Sequence, residues 1–278
     1  MVVGIQGERG SFSEEAAFKL FSPPLEIQCC EHFEDVFRRT VDADFDYCVI
    51  PIENSLTGSI YKNYDLLRRY GLRIVREVNL RIRHHLIALK GTSFEEIVTV
   101  MSHPVALDQC ENFFGRFRRL EKRTAYDTSG SVKRIVEGGM RDCAAIAGEN
   151  AAQFFGGRIL MRGIEDNKEN FTRFFLLSLG METVAGADKT SIVFSFKNSP
   201  GSLSKCLSVF ALRGIDLTKI ESRPIHGRPW EYIFYIDFLA DLADERCVNA
   251  LDHLSEITEF LEVLGCYPRD SSHRKTAM

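Results

Sequence analysis

The sequence predicts an α/β domain over residues 1–180, followed by a smaller α+β domain over residues 190–268. In the first region, short apolar runs alternate with amphipathic stretches, which is typical of an α/β fold. The second region has the order strand, helix, strand, strand, helix, strand, and that order is typical of a ferredoxin-like domain. A link that contains Gly and Ala, Gly180–Asp188, separates the two regions.

The elements of the first domain are predicted from apolar runs and from the capping residues beside them. The strand Val2–Gln6 leads through a Gly-rich turn to Ser11–Glu14, whose S-x-x-E spacing is that of a capping box before the helix Glu15–Phe21. Pro104 suits a first helical turn, so one helix is predicted over Val105–Phe117. The remaining predicted elements are the strands Phe45–Pro51, Val98–Ser102 and Cys143–Ala147 and the helices Val132–Glu137 and Asn150–Phe155.

A cleft is predicted in this domain from its strand ends. The hydrophilic strand Arg73–Arg83 is predicted to cross between two lobes, which places the cleft between them. Several strands end in Ser, Thr, Asn or Gly where a helix begins, and helix N-termini favour anions through unpaired N–H groups and a partial positive charge. Any one of these turns could be only a local cap, but four in one domain indicate a shared anion-binding cleft.

The smaller domain is predicted from an alternating strand and a helix with one apolar face. Ser191–Phe196 alternates apolar and polar residues, which predicts a half-buried strand. After the turn Asn198–Ser202, Leu203–Leu212 has the apolar stripe of a helix. The rest of the predicted order is the strands Ile215–Ile220 and Trp230–Phe238, the helix Ala243–Leu254 and the strand Thr258–Leu264.

Composition excludes several classes of function. The net charge is −4 and the sequence has no basic block, so nucleic acid is not predicted as a partner. No apolar run approaches the roughly 18 residues that span a bilayer, and the first residues lack the pattern of a signal peptide, so no membrane partner is predicted. The eight cysteines show no C-x-x-C and no histidine at ligand spacing. We therefore expect no metal site, no structural disulfide and a cytoplasmic protein.

The segment Asn170–Phe174 carries the most chemistry in the sequence. It joins a polar run to an apolar run, so an amide, a hydroxyl and a guanidinium lie at one strand end, where open sheets place ligand sites. The hydroxyl of Thr172 can give or take a proton, and the guanidinium of Arg173 can hold a carboxylate. The same residues also fit a glycosylation sequon and a solvated arginine, so the segment gains weight only from its neighbours.

Five segments, taken in order, resemble the signature of the prephenate dehydratase family. Val105 stands where the family pattern has Gln. The segments are Gly7–Ala17 (G-x-x-G-[ST]-F-S-x-x-A-A), Pro51–Ser59 (P-x-E-N-S-x-x-G), Ser102–Cys110 (S-H-P-Q-A-L-x-Q-C), Asp127–Lys133 (D-T-A-G-A-A-K) and Asn170–Phe174 (N-x-T-R-F). The resemblance implies a two-lobed, periplasmic-binding-protein-like catalytic domain.

Two segments of the smaller domain resemble ACT regulatory domains that respond to phenylalanine. They are Asn198–Leu203, which matches a P-G-A-L helix start, and Glu221–Pro224, which matches E-S-R-P. Because ACT domains usually pair edge to edge, the resemblance implies a homodimer or homotetramer, with L-phenylalanine as a feedback effector. The implied effector-binding residues are Ser199, Pro200, Gly201, Ser202, Leu203, Glu221, Ser222, Arg223 and Pro224.

The resemblance also implies a reaction and its residues. Prephenate would lose water and CO2 to give phenylpyruvate in L-phenylalanine biosynthesis, without a metal or other cofactor. Thr172 would act on the leaving hydroxyl, whereas Arg173 could be a carboxylate clamp or part of a structural ion pair. The implied catalytic residues are Thr172, Arg173, Asn54 and Ser55, and the implied substrate-binding residues are Ser11, Thr57, Ser129, Asn170 and Phe174.

Two other functions stay open from the sequence. An arogenate dehydratase performs the same chemistry on a substrate with an amino group in place of the side-chain keto oxygen. A non-enzymatic amino-acid-sensing protein would also have two lobes and a cleft lined by helix N-termini. His84, His85 and His103 are weaker candidates for acid–base roles than Thr172.

Overall fold

The structure is a computed structural model, and it describes residues 1–180, 184–225 and 227–270. The chain divides into two compact units. The first comprises Met1–Tyr70 and Val78–Leu176, and the second comprises Gly71–Glu77 and the residues from Leu177 onward. In the described part of the chain, no helix has the length and apolar character needed to cross a membrane.

The first unit contains two sheets, and each forms the core of one lobe; the strands Arg73–Arg81 and Phe171–Ser178 have part of their residues in the second unit. In chain order its strands are β1 (Val2–Gln6), β2 (Glu26–Cys30), β3 (Tyr47–Asn54), β4 (Gly58–Ser59), β5 (Arg73–Arg81), β6 (His85–Ala88), β7 (Thr99–Ser102), β8 (Glu121–Thr124), β9 (Cys143–Ala147), β10 (Arg158–Met161) and β11 (Phe171–Ser178). Its helices are α1 (Phe12–Leu20), α2 (Phe33–Val41), α3 (Tyr61–Tyr70), α4 (Pro104–Asp108), α5 (Glu111–Arg116), α6 (Thr128–Glu137) and α7 (Glu149–Phe155), with a 3-10 turn at Phe94–Glu96.

The strands of the first unit form two separate sheets, an arrangement consistent with the two lobes that the sequence predicts. The first sheet has the order β2-β1-β3-β11-β5, with β4 beside β3, and the second has the order β10-β6-β9-β7-β8. The chain passes between the lobes through residues 82–84 and again through residues 162–170. In the second lobe, alternate residues of β9 pack into two apolar clusters, as expected for a strand covered on both faces.

The single helix predicted over Val105–Phe117 is wrong, because the chain breaks into α4 and α5 at Gln109 and Cys110. Cys110 has φ −127° and ψ 32°, which is not helical. The break lets the second crossing segment bind here: the Asp166 N–H donates to the Gln109 carbonyl at 2.8 Å, and the Asp166 carboxylate accepts from the Asn112 N–H at 3.0 Å.

Two other predicted boundaries shift for local reasons. The helix after the first turn begins at Phe12, earlier than the predicted Glu15, because the Ser11 hydroxyl caps it by accepting from the Glu14 N–H at 3.4 Å. The Glu14 carboxylate binds the Gly10 N–H and the Arg9 guanidinium instead of completing a capping box. The strand predicted over Arg73–Arg83 ends at Arg81, and the crossing follows it.

The second unit has the predicted βαββαβ order. Its elements are β12 (Lys189–Ser195), α8 (Ser202–Ala211), β13 (Leu217–Ile225), β14 (Arg228–Phe238), α9 (Glu245–Ile257) and β15 (Phe260–Tyr267). The antiparallel sheet has the order β13-β14-β12-β15, which is ferredoxin-like, and both helices pack on an apolar core that includes Phe194, Phe210 and Ile236.

The segment Gly71–Glu77 joins this second unit through a close approach and two ion pairs. Gly265 lies so near β5 that a Cβ atom there would be 2.2 Å from the Ile74 carbonyl oxygen. Arg73 pairs with Glu262 at 2.7 Å, and the buried Lys189 pairs with the buried Glu77 at 3.0 Å. The start of β5 is therefore fixed by residues far from it in sequence.

Candidate active site

A cavity of about 560 Å³ lies between the two lobes of the first unit. The first lobe contributes the ends of β1 and β3 and the starts of β11, α1, α2 and α3, and the second contributes α4 and the turn before α6. The polar and charged lining residues are Gln6, Ser11, Ser13, His32, Asn54, Thr57, Lys62, His84, His103, Gln109, Tyr126, Asp127, Thr128 and Thr172.

Asn54, the last residue of β3, organises the first-lobe wall of the cavity. Its side-chain oxygen accepts the backbone N–H groups of Leu56 and Thr57 at 3.0 and 3.1 Å. Its amide nitrogen donates to the Asn170 oxygen at 2.8 Å and to the Thr172 hydroxyl oxygen at 3.0 Å. Because β3 and β11 are neighbours in the sheet, the two motifs that carry these residues meet at one strand end.

The Thr172 hydroxyl oxygen accepts a hydrogen bond from the protein, and this leaves the hydroxyl proton free within the part of the chain that the structure describes. Thr172 is 8% exposed and lines the cavity, and its oxygen accepts from Asn54. Within the described residues its own proton has no acceptor. The hydroxyl can therefore donate a hydrogen bond to a molecule in the cavity.

Gln109 presents its amide in a similar way from the second lobe. The Gln109 oxygen accepts from the Asn170 amide at 2.9 Å and lies 3.0 Å from the His84 Nε2 atom. The Gln109 NH2 group has no acceptor among the residues that the structure describes. Two N–H donors on a pinned side chain are thus available at the cavity wall.

The structure does not bring Arg173 to the cavity, although the sequence nominated it as a catalytic residue. Successive residues of a strand point to opposite faces, so Thr172 and Phe174 line the cavity while Arg173 does not. The Arg173 guanidinium lies 3.8 Å from the Glu53 carboxylate and stacks on the Phe175 ring at 4.6 Å. Of the two roles left open by the sequence, this placement favours the structural ion pair.

Three more nominated residues support the walls of the cavity without lining it. The Ser55 hydroxyl donates to the Glu169 carbonyl at 2.8 Å and accepts from the Phe171 N–H at 2.9 Å, which ties the β3–β4 turn to β11. The Ser129 hydroxyl is buried and donates to the Arg9 carbonyl at 2.6 Å. Asn170 is fully buried and hydrogen-bonds to Asn54 and Gln109. The nominated residues Ser11, Thr57, Asn54, Thr172 and Phe174 all line the cavity.

Comparisons with known proteins agree on one family. A family model for prephenate dehydratase matches residues 3–182. The Arabidopsis thaliana protein named arogenate dehydratase/prephenate dehydratase 2, chloroplastic, is 45% identical over 282 residues, which cover 97% of this chain and 73% of that protein. This chain belongs to the prephenate dehydratase family.

Solved structures of whole chains share this fold. A prephenate dehydratase from Arthrobacter aurescens in complex with L-Phe matches with a TM-score of 0.87 at 29% identity, over 97% of this chain and 90% of that one. A structure described as a novel type of quorum-quenching acylase matches with a TM-score of 0.89 at 29% identity, over 98% and 99% of the two chains. Proteins of this fold thus include a dehydratase and an acylase, so the residues of the site, and not the fold alone, determine the reaction.

One lysine and one carboxylate are among the residues that line the cavity of this chain. Lys62 lies in the first turn of α3, and the described residues offer it no ion-pair partner. Asp127 caps α6, and burial raises the pKa of its carboxyl, which the Gly130 N–H opposes. Burial lowers the pKa of both His84 and His103, which favours neutral imidazoles.

The sequence did not nominate Lys62 or Gln109 as site residues, and it ranked His84 only as a weak acid–base candidate. Gln109 could have been nominated, because it belongs to the Ser102–Cys110 motif. The helix predicted over this segment was unbroken, however, and gave no reason to turn the Gln109 side chain toward the cavity. Lys62 follows the Pro51–Ser59 motif by three residues and looked like any surface lysine. Lys62 reaches the cavity because α3 begins directly after β4.

The second unit has a cavity of its own, of about 410 Å³, at the start of α8. Of the residues nominated for an effector, Ser199, Gly201, Ser202 and Leu203 line it, together with Phe196, Asn198, Ser204, Tyr232 and Phe234. The other nominated residues, Pro200, Glu221, Ser222, Arg223 and Pro224, do not. On β13, however, Ser222 and Pro224 pair in register with the lining residues Phe234 and Tyr232.

Proposed function

We propose that this chain converts prephenate to phenylpyruvate, water and CO2 in the formation of L-phenylalanine. The observation that carries the proposal is the Thr172 hydroxyl, which accepts from Asn54 and keeps its proton for the cavity. The side chains hydrogen-bonded around it are uncharged amides, which suit a substrate that already carries two negative charges.

The reaction needs one proton and no oxidant. Prephenate has a carboxylate and a pyruvyl side chain on one ring carbon and a hydroxyl on the carbon opposite. When the carbon–carboxylate bond breaks, its electron pair enters the ring and expels the hydroxyl, which takes a proton and leaves as water. Aromatisation supplies the driving force. The protein must therefore assist the leaving hydroxyl while it avoids tight binding of the departing carboxylate.

Thr172 and Gln109 are the groups we assign to the leaving hydroxyl. A threonine hydroxyl is a weak acid, so Thr172 assists by hydrogen bonding or by relaying a proton rather than as a free acid. General-acid assistance of this kind contributes about 10²–10⁴-fold to a rate. The free Gln109 NH2 group lies on the same hydrogen-bonded wall and can donate to the same oxygen.

Lys62 is the group we assign to the side-chain carboxylate. Because Thr172 is buried and Lys62 is exposed, we take Thr172 as the inner end of the cavity and Lys62 as its mouth. With the hydroxyl at Thr172, the opposite ring carbon and its pyruvyl chain point toward the mouth. The ammonium can then hold the side-chain carboxylate, which stays in the product, rather than the one that leaves.

The positive charge of Lys62 also bears on the choice between prephenate and arogenate. The relatives' names include both substrates. Arogenate carries an ammonium group beside its side-chain carboxylate, and this group repels Lys62, so we expect a higher kcat/KM for prephenate.

Aromatic product measured by absorbance with each substrate tests the assignment. A higher kcat/KM for arogenate than for prephenate would identify the chain as an arogenate dehydratase instead. Tight binding of either compound without turnover would instead favour a binding protein.

We further propose that the second unit is an ACT regulatory domain that binds L-phenylalanine and that the protein forms a homodimer or homotetramer. The α8 N-terminus has no side-chain cap at Gly201 and carries the positive end of the helix dipole, so it suits the effector carboxylate. Phe196, Tyr232 and Phe234 offer an apolar place for the phenyl ring. The relative from Arthrobacter aurescens is described as a complex with L-Phe.

The compartment is also a proposal. The chain carries eight cysteines, all of them free thiols, and we propose a reducing cytoplasm as its location. The Arabidopsis relatives carry the word chloroplastic in their names, so fractionation of the source cells is the measurement that decides between the two.

A further inference from the structure

One hydrogen-bonded chain in the first unit starts from two backbone amides, and this fixes the direction of every bond in it. The N–H groups of Leu56 and Thr57 can only donate, so the side-chain atom of Asn54 that they meet must be its oxygen. The NH2 group of Asn54 must then face the Asn170 oxygen and the Thr172 hydroxyl.

The same logic continues from Asn170 to His84. With its oxygen turned to Asn54, Asn170 presents its NH2 group to Gln109 at 2.9 Å, so the atom of Gln109 that it meets is the oxygen. His84 Nε2 lies 3.0 Å from that oxygen. An oxygen accepts and does not donate, so His84 Nε2 must carry a proton.

We propose that His84 is a positioning residue that, as the neutral Nε2–H tautomer, locks the Gln109 oxygen inward and thereby turns the Gln109 NH2 group toward substrate. This inference rests on the proposed dehydratase function. A histidine with a bare Nε2 would instead attract the NH2 group of Gln109, which would turn the oxygen toward the cavity and oppose Asn170.

The surroundings of His84 support a neutral ring. The side chain is 2% exposed, and within the described protein its Nδ1 atom is buried without a hydrogen-bond partner, so a proton there would be unsatisfied. Phe12 meets the ring edge-on at 5.8 Å. The titratable neighbours are His85 and Glu165. The Glu165 carboxylate accepts from the backbone N–H of His84 at 3.0 Å and pairs with Lys168 at 3.2 Å, and neither of these bonds involves the His84 ring.

The tautomer itself can be measured without substrate. A protonated and a bare ring nitrogen differ widely in ¹⁵N chemical shift, and His84→Gln assigns the His84 signals by their loss. We expect one protonated Nε2 and one bare Nδ1 through about pH 6–8. A protonated Nδ1, or a cationic ring in that range, overturns the proposal whether or not the protein turns over prephenate.

Three variants then test the positioning role by kcat. His84→Gln keeps an N–H donor near the Nε2 position, whereas His84→Leu has none. We expect His84→Leu to lower kcat about 10²-fold with little change in KM, because a misplaced donor fails chiefly in the transition state. His84→Gln should recover most of that loss. The control His85→Asn removes the neighbouring imidazole and keeps an acceptor for the Gly163 N–H, which His85 Nδ1 accepts at 3.0 Å, and it should match wild type.

Equal kcat for His84→Leu and wild type, or equal losses in the Gln and Leu variants with normal circular dichroism, would overturn the positioning role. If His84→Leu fails to fold, the ¹⁵N measurement on the wild-type protein still decides the tautomer. Wild-type protein that shows the expected tautomer but makes no phenylpyruvate would refute the proposed function alone.

Discussion

Two adjacent residues of β11 have separate tasks because a strand alternates its faces. Thr172 contacts Asn54 and the cavity, whereas Arg173 contacts Glu53 and Phe175. The alternation itself was available from the sequence, and it would have separated Thr172 and Phe174 from Arg173. What the sequence could not supply was the direction of the cavity, which depends on the strand order β3-β11-β5.

The first residue-scale prediction concerns the Thr172 hydroxyl. Thr172→Val keeps the shape of the side chain and removes the hydrogen-bond donor, so kcat for prephenate should fall about 10²-fold or more. Thr172→Ser restores the donor and should retain most of the activity. Steady-state kinetics on folded variants measures both. Equal rates for the Val and Ser variants would remove the hydroxyl from the chemistry.

The second residue-scale prediction concerns Lys62. A hydrogen bond to a charged group contributes about 1.5–3 kcal/mol, so Lys62→Gln should raise KM for prephenate about tenfold or more while kcat changes little. Lys62→Arg keeps the charge and is the matched control. The KM effect should weaken at high salt, since Lys62 is exposed. An unchanged KM in Lys62→Gln would show that the carboxylate binds elsewhere.

At the scale of elements, the sequence predicted the order of the second unit and part of the first, but it missed β2, α2, α3, β6, β8 and β10. The βαββαβ order follows from local periodicity and capping, whereas the two lobes were predicted from the crossing strand and the family resemblance. The break between α4 and α5 depends on Asp166, which is more than fifty residues away. The same break turns Gln109 toward Asn170, so the missed helix end and the missed site residue have one physical origin.

An element-scale prediction concerns the buried ion pair that fixes the start of β5. Lys189→Met removes the buried ammonium that pairs with the buried Glu77 carboxylate, and breaking a buried ion pair from one side costs about 3–5 kcal/mol. We expect a lower thermal midpoint for the second unit by calorimetry. The double variant Glu77→Gln, Lys189→Met removes both charges and should be more stable than Lys189→Met. A single variant as stable as wild type would show that the pair contributes nothing.

At the scale of the whole molecule, the proposed regulation predicts saturable binding of L-phenylalanine and a change in dehydratase rate. A coupling of about 1–3 kcal/mol is typical between such sites. Calorimetry on the full chain should show binding that is weakened in the Gly201→Val, Ser222→Ala variant, because Gly201 has φ 82° and lines the second cavity. The dehydratase rate without effector should survive in that variant. Equal binding by both proteins, or none by either, would contradict this assignment.

The measurement that tests the central claim most directly is product formation from prephenate by the full-length protein, with phenylpyruvate and CO2 quantified together. We predict equal amounts of the two products, a kcat within the usual enzymatic range of about 1–10³ s⁻¹, and loss of both products together in Thr172→Val. Prephenate that binds but yields neither product, or Thr172→Val that forms both at the wild-type rate, would contradict it.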